Sequence, residues 1–335
     1  MVEAVGTSPW QAVYGLPRIV LHRALQAVPS LLVLSVAGFA LTSATPGDPL
    51  TARMDRQAVV LMTPEQRAHA VHLLGLDQPL PVQYLRWLVR ALRGDFGYSI
   101  QTGQSAWTVV SAGIEPSLIL LVGALIVIVV IGPAIGVIAA SHEGSAIDRA
   151  LSGAIVALLA IPPYVLGLVA IFVVSVRLRL LPPGGMRVAG VPLTFPVLLQ
   201  HLLLPALVLG IANAAPLARY TRASILEVLS AEYIRTARAT GSTEKAVLFR
   251  HAYRNASLPI ITVVASLVPE LFAAAIVTET IFAWPGIGTL AVQATEGKDG
   301  PVLMLIILIV GLTTMSANLV ADILYKLVDP RVVVI

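Results

Sequence analysis

Apolar and polar stretches alternate along this chain on a scale of tens of residues. Six apolar segments, at residues 24–44, 116–140, 150–176, 193–217, 258–284 and 301–324, are each long enough to cross a hydrocarbon core of about 30 Å with some tilt, at about 1.5 Å per residue. The pattern predicts an all-α, polytopic membrane protein with six transmembrane helices. A cleavable signal peptide is the rival reading of the first segment, because Thr42, Ser43 and Ala44 are small, but about 20 apolar residues exceed the usual 7–15 of a signal core. Pro133, Pro162, Pro163, Pro205 and Pro269, with Gly132, Gly136 and Gly167, interrupt the spans. Such breaks suit a moving bundle and are equally ordinary in close-packed static helices.

Two polar stretches are too long to be turns. Residues 45–111 form an extramembrane segment in which 64–74 predicts a helix carrying Val71, Leu73 and Leu74 and stopped by Gly75. Residues 81–92 predict a second helix, with Tyr84, Leu88 and Leu92 on one face and Trp87 nearby. Residues 217–259 form a basic island, in which Arg219, Arg222, Arg235, Arg238, Lys245, Arg250 and Arg254 outnumber Glu227, Glu232 and Glu244. Within it Leu226, Leu229, Tyr233, Ile234 and Ala237 recur at helical spacing, Gly241 reads as a stop, and Ser242 or Thr243 reads as a fresh N-cap. A second helix over about 244–255 is expected to end where Leu258-Pro259 starts the next span. Ala237, Ala239 and Gly241 are small enough for a partner's backbone to approach closely, while Arg235 and Arg238 offer charge to acidic groups; the bland alternative is a solvated loop that only fixes topology.

Charge sets the orientation. An excess of arginine on a short loop marks the cytoplasmic side, so residues 1–23, with Arg18 and Arg23, the loops 142–149 and 218–257, and the tail 325–335, with Lys326 and Arg331, are expected inside. Residues 45–111, 177–192 and 285–300 then fall outside, against the sign of Arg177, Arg179 and Arg187. The core would be residues 112–324. A chain of 335 residues that is 57% hydrophobic and 12% charged departs far from soluble domains, about 25% charged. With no cysteine, disulfide and thiol chemistry are excluded. No phosphate loop, zinc-protease motif or G-x-S-x-G elbow occurs, so an enzyme is not expected, and neither a catalytic residue nor a bound metal or cofactor.

Ionisable groups inside a span cost about 2.5–3.5 kcal/mol each at the helix centre, so their positions matter. Glu270, after Pro269, falls near mid-membrane in the fifth span, Glu279 near its outer end, and Asp322 near the inner end of the sixth. Nine residues at about 100° each put Glu270 and Glu279 on opposite helix faces. Glu270 is the candidate for lining a pathway or, equally, for bonding a neighbouring helix or a partner subunit; His201 reads as a helix-packing hydrogen bonder.

The runs EYIRTARATG (232–241) and RHAYRNASLP (250–259) resemble the cytoplasmic loop of ATP-binding-cassette importer permeases, in the peptide and nickel branch that includes dipeptide and oligopeptide permease B subunits. PGDP (46–49), LGLDQPLPVQY (74–84), RGDFGYS (93–99) and TETIFAWPGIG (278–288) resemble other parts of the same family, so the likeness runs from Ala24 to Arg331. Arg235 stands where the wider family's signature has Glu, and the distance from Gly241 to Leu258-Pro259 is longer than in sugar permeases; both are features of the peptide branch. The resemblance implies the type I importer permease fold in a bacterial inner membrane, and no nucleic-acid partner. It implies a coupling helix around Glu232, Tyr233, Arg235, Thr236, Ala237, Arg238, Ala239, Gly241 and Ser242 docked on an ATPase. It also implies a homologous second permease, two ATPase subunits that hold ATP and magnesium, and an extracytoplasmic binding protein that delivers peptide, or else nickel or glutathione. Asp77, Tyr84, Trp87 and Asp95 would be candidates for meeting the binding protein, with a solvated face the alternative for the two acids. A secondary transporter driven by an ion gradient is the competing class, but no inverted repeat supports it, and it leaves the helical basic island unexplained.

Overall fold

The computed structural model describes residues 16–44, 50, 54, 56–73, 75–188 and 190–328. The first fifteen residues, the PGDP run at 46–49, Leu74 and the tail from 329 onward, with Arg331, lie outside the described residues. What is described is helix and turn, with one isolated antiparallel bridge between Tyr98 and Ser105. Among the described residues four helices are long and apolar enough to cross a membrane, or five if one sharply bent pair counts as a single span. The expected six stand at five by this count; the remaining candidate, the fifth span, is occupied by the helix Arg254–Ile281.

The helices are α1 (Leu16–Ala44), α2 (Arg56–Val60), α3 (Pro64–Leu73), α4 (Leu80–Ala91), α5 (Ala106–Ser141), α6 (Ala146–Ala160), α7 (Pro163–Ala170), α8 (Phe195–Leu229), α9 (Glu232–Ala239), α10 (Glu244–Ala246), α11 (Arg254–Ile281), α12 (Ile287–Glu296) and α13 (Gly300–Val328). The chain forms two compact units.

The larger unit is built around Ile119–Phe282, with the outermost turns of the first and last helices. Its spine is the contact between α5 and α8. A membrane offers no hydrophobic drive for helix association, so close van der Waals approach must supply it, and small residues make that approach possible. Along α8 the residues Ala206, Gly210, Ala214 and Ala218 recur every fourth position, on one ridge. A methyl group added at Gly136 of α5 would lie 2.5 Å from Thr221 Cβ and 2.6 Å from the Ala218 carbonyl oxygen, and one at Gly210 would lie 2.5 Å from Val127 Cβ. Gly132 meets Leu217 and Ala214 in the same way, and Gly123 meets Ala206.

On another side of α8, Ala215 and Ala218 pack with Ile155 of α6. The third span, expected over 150–176 with Pro162 and Pro163 interrupting it, is broken at those prolines: α6 ends at Ala160, Ile161 is extended, Pro162 and Pro163 start α7, and the axis turns by 103°. Proline lacks the N–H that would continue the ladder and disfavours helix in the residue before it. A π-helical turn, Ile171–Arg177, closes this element. At the other end of α8, His201 is buried and its Nδ1–H donates to the carbonyls of Gly184 and Gly185. It therefore fastens a loop, not a second helix. The carboxylate of Asp322 near the end of α13 accepts from Arg23 Nε near the start of α1, so the two chain ends of this unit meet.

The smaller unit comprises Leu25–Leu118 and Ala283–Thr313. Gly38 of α1 abuts Met304 and Gly311 abuts Leu34, again a small-residue contact between long helices. Trp284, fully buried, donates its indole N–H to the Pro116 carbonyl at 2.8 Å, and the Ser117 hydroxyl accepts from the Ile287 N–H. The buried Asp299 caps α13 through the Val302 N–H and accepts from the Ser99 hydroxyl, which ties the turn at 97–105 to α12 and α13.

Since the α5–α8 contact has no room for a methyl at Gly136, Gly136→Ala is expected to destabilise the folded protein by about 1–3 kcal/mol. Gly153→Ala, where nothing lies within 4 Å, should be neutral or stabilising. Thermal unfolding in detergent reads both, and equal melting temperatures for the two variants would contradict the packing argument.

Candidate functional site: the arginine-rich loop

The basic island does not begin where the apolar run ends. Helix α8 continues from the span to Leu229, carrying Arg219 and Arg222 as part of one 35-residue rod. Pro216 lies inside the rod without ending it. The turn at Ser230 and Ala231 then releases α9, so the apolar positions expected to share one helix are divided between two: Leu226 and Leu229 on α8, and Tyr233, Ile234 and Ala237 on α9.

Helix α9 is amphipathic in a literal sense. Ile234 is fully buried, while Glu232, Tyr233, Arg235, Thr236, Arg238 and Ala239 are exposed and Ala237 is half-buried. One residue anchors the helix and the rest face outward. Its end is a complete Schellman motif: the Gly241 N–H donates to the Arg238 carbonyl at 3.0 Å and the Ser242 N–H to the Ala237 carbonyl at 3.1 Å. Gly241 has φ +89°, the left-handed region that glycine enters without a Cβ penalty. Nothing crowds Gly241, so its requirement is conformational, not steric. Of the two expected N-caps the structure uses Thr243, whose hydroxyl accepts from the Ala246 N–H; Ser242 serves the preceding stop.

The two sides of this turn are bolted together. Arg238 Nε and Nη2 donate to Glu244 Oε1 and Oε2 at 2.8 and 3.1 Å. That bidentate fork holds the Glu244 carboxyl below its ordinary value of 4.5 and raises the Arg238 guanidinium. After α10 the helix continues through a π-helical turn, Val247–Tyr253, directly into α11. The break expected at Leu258-Pro259 is absent: α11 runs on through Pro259, which removes one rung of the hydrogen-bond ladder without ending the helix. The irregularity falls earlier, at the π-helical turn.

Beside α9 lies an open cleft of about 860 Å³, between the turn after α5, the end of α8 and the segment after α10. Ile138, Leu226 and Leu248 contribute apolar walls, and His142, Glu143 and the Arg238–Glu244 pair contribute polar ones.

The remaining candidates are dispersed. Glu270 is exposed on α11 beside the half-buried Pro269, and Glu279 is buried, as opposite faces require. In the smaller unit Tyr84 stacks on Trp87, both rings pack against Phe39 of α1, and the Tyr84 hydroxyl bonds that of Ser35. Trp87 is only 7% exposed. These two aromatic residues hold α4 on α1, which leaves them little surface for a partner. Asp77 and Asp95 are exposed. His72 hydrogen-bonds Asp77 and lowers its carboxyl below 3.8, and Asp95 accepts from the Gly97 N–H. Asp148, Arg222 and Asp299 were not legible as paired groups, because each partner lies on an element far away in sequence.

These features make the chain a helical, multi-span membrane protein with an exposed arginine-rich loop shaped by two capped turns. Family models match two regions: residues 132–334 match the binding-protein-dependent transport system inner membrane component, and residues 16–112 match the N-terminal region of such components. The chain belongs to this family of binding-protein-dependent transport system inner membrane components. It is 38% identical over 314 residues to the oligopeptide transport system permease protein AppB of Bacillus subtilis, covering 93% of this chain and 98% of that protein. It is 35% identical over 337 residues to the dipeptide transport system permease protein DppB of Escherichia coli, covering 94% and 98% respectively. Among solved structures, the methionine ABC transporter MetNI in inward-facing conformations contains a chain similar in fold, with TM-score 0.53 and 17% identity over 66% of this chain and 96% of that one.

Two expectations follow for the loop. Gly241→Ala forces a Cβ into the left-handed region at about 1–2 kcal/mol, so amide exchange over 236–246 should accelerate, and Gly241→Asn should accelerate it less. The Arg238–Glu244 link depresses the folded Glu244 value, so its contribution is fully present above pH 4.5 and lost as pH falls through the lower folded value. Acidification should therefore narrow the exchange difference between wild type and Glu244→Gln, and a difference independent of pH would refute the link.

Proposed function

We propose that this chain is one of two homologous membrane subunits of an ATP-driven importer that takes up di- or oligopeptides handed over by an extracytoplasmic binding protein. The observation that carries the reading is the exposed face of α9, terminated by the Gly241 Schellman turn and braced by Arg238–Glu244. Such a face is a rigid, small-residue-edged peg suited to a groove on a partner. Family membership and the names of its relatives support the partner's being an ATPase and the cargo's being peptide.

In this reading ATP and magnesium reside in two separate ATPase subunits. Their closure moves α9, and α8 and α11, to which α9 is joined, transmit the displacement into the bundle so that a central pathway opens alternately to each side. Ile234 gives α9 its hold on the bundle, while Tyr233, Arg235, Thr236 and Ala239 meet the ATPase. Glu270, exposed on the single chain, faces either the pathway or the second permease, since a carboxylate facing lipid would be unsolvated. Asp77 and Asp95 are the outer-loop residues exposed enough to meet the binding protein. The chain lies in the bacterial inner membrane with both termini in the cytoplasm; the contact between Arg23 and Asp322 supports a common side for its ends, as an even number of crossings requires.

Uptake of a labelled dipeptide into proteoliposomes containing this chain, the second permease, both ATPases and the binding protein tests the proposal. Import is expected to require internal ATP, and Gly241→Asp is expected to abolish it while membrane insertion persists. Uptake that survives without the ATPases but collapses with the proton gradient would establish a secondary transporter instead. Comparing dipeptide, longer peptides, glutathione and nickel as competitors assigns the cargo.

A further inference from the structure

The coupling loop is continuous with α8, but the bent element α6–α7 is not, and it needs some other means of following the loop. Between α6 and α8 the apolar contact is made by Ile155 against Ala215 and Ala218. Small smooth side chains permit close approach and also permit sliding. One contact between these helices resists sliding. Arg222, seven residues before the end of α8, directs Nε to Asp148 Oδ1 and Nη2 to Asp148 Oδ2, both at 2.7 Å.

Asp148 is held from every side. Its side chain is 7% exposed; its Oδ2 also accepts the Gly144 N–H at 3.0 Å, its Oδ1 accepts the Ser152 hydroxyl at 3.4 Å, and its own N–H is capped by the Ser145 hydroxyl at 3.2 Å. Gly144 has φ +72°, the left-handed conformation that turns its N–H toward the Asp148 carboxylate. The carboxylate therefore belongs both to the rigid start of α6 and, through the guanidinium, to the coupling end of α8. A planar fork on a carboxylate fixes angle as well as distance, which a lysine or a single hydrogen bond would not.

We propose that Asp148 and Arg222 form the positioning joint through which movement of the coupling loop is imposed on α6 and the bent α6–α7 span. This extends the transport reading above and rests on it. The joint does not touch substrate or nucleotide. It makes two helices that could slide move as one, so its loss separates ATP hydrolysis from import.

The test uses the complete complex in proteoliposomes. Wild type must first show ATP-dependent import; if it does not, the transport reading fails and the joint is not at issue. Given a transporting wild type, Asp148→Asn and Arg222→Gln are each expected to lower substrate imported per ATP hydrolysed by about tenfold while basal hydrolysis persists. The exchanged pair, Asp148→Arg with Arg222→Asp, is expected to recover part of that ratio. An unchanged ratio in both assembled single variants overturns the joint.

A second measurement does not depend on the variants' assembly. The chain has no cysteine, so spin labels can be placed uniquely at Arg149 on α6 and Arg219 on α8, both exposed. Between nucleotide-free and nucleotide-trapped complexes, the 149–219 distance is expected to stay constant, with retained nucleotide verifying that trapping has occurred. A wild-type change in the 149–219 distance of about one helical turn, ~5 Å, would show the helices sliding past one another and overturn the proposal.

Discussion

Everything in the larger unit depends on how closely α5 and α8 approach. In lipid neither helix gains from leaving water, so the association rests on dispersion between surfaces in contact and falls steeply with any gap. The approach is close enough that the Thr221 hydroxyl, fully buried against Gly136, has no hydrogen-bond partner among the described residues. An orphaned buried hydroxyl costs about 1–3 kcal/mol, and it is accepted at the tightest point of the contact.

Three ion pairs hold helices of the larger unit together. Asp148–Arg222, Arg238–Glu244 and Arg23–Asp322 lie at helix ends or in turns, where water can reach part of each pair. Their exposures form a gradient: the Asp148 side chain is 7% exposed, that of Asp322 is 15%, and that of Glu244 is 73%. An exposed pair contributes little to stability, so Arg238–Glu244 is better understood as fixing the angle between α9 and α10. A buried, bidentate, multiply hydrogen-bonded pair such as Asp148–Arg222 instead penalises separation strongly. The loop is thus adjustable at its outer face and stiff at its root.

How much of this could be read from residues alone depends on the range of each interaction. The spans were legible because apolar length is a local property, and so were the stop at Gly241 and the cap near Thr243, which depend on neighbours three to five residues away. Boundaries that depend on cooperation between segments were not. Helix α8 overruns its apolar segment because a helix already stabilised by packing extends through any residues that tolerate it. Helix α11 passes Pro259 because its packing against α8 outweighs the loss of one ladder hydrogen bond. The four-residue recurrence of Ala206, Gly210, Ala214 and Ala218 was present in the sequence and is the signal that could have located the α5–α8 contact. Tyr84 and Trp87 look like surface residues in the sequence because aromatic residues on an extramembrane helix commonly are; the Phe39 ring that covers them belongs to a span 45 residues away from Tyr84.

The two glutamates of α11 show how much one chain leaves to its assembly. Glu279 is 1% exposed and engaged within the protein, which spares it the solvation problem. Glu270, half a helical circumference away, is exposed on this single chain, in a segment whose apolar length predicts a membrane span. Insertion of such a group costs several kcal/mol unless water or a polar partner meets it. No described residue is seen to meet it, and in the transport reading proposed above the pathway or the second permease does so. An aqueous pathway or an apposed polar surface can solvate a carboxylate that lipid cannot, which is why the proposed reading assigns this face of α11 to one or the other.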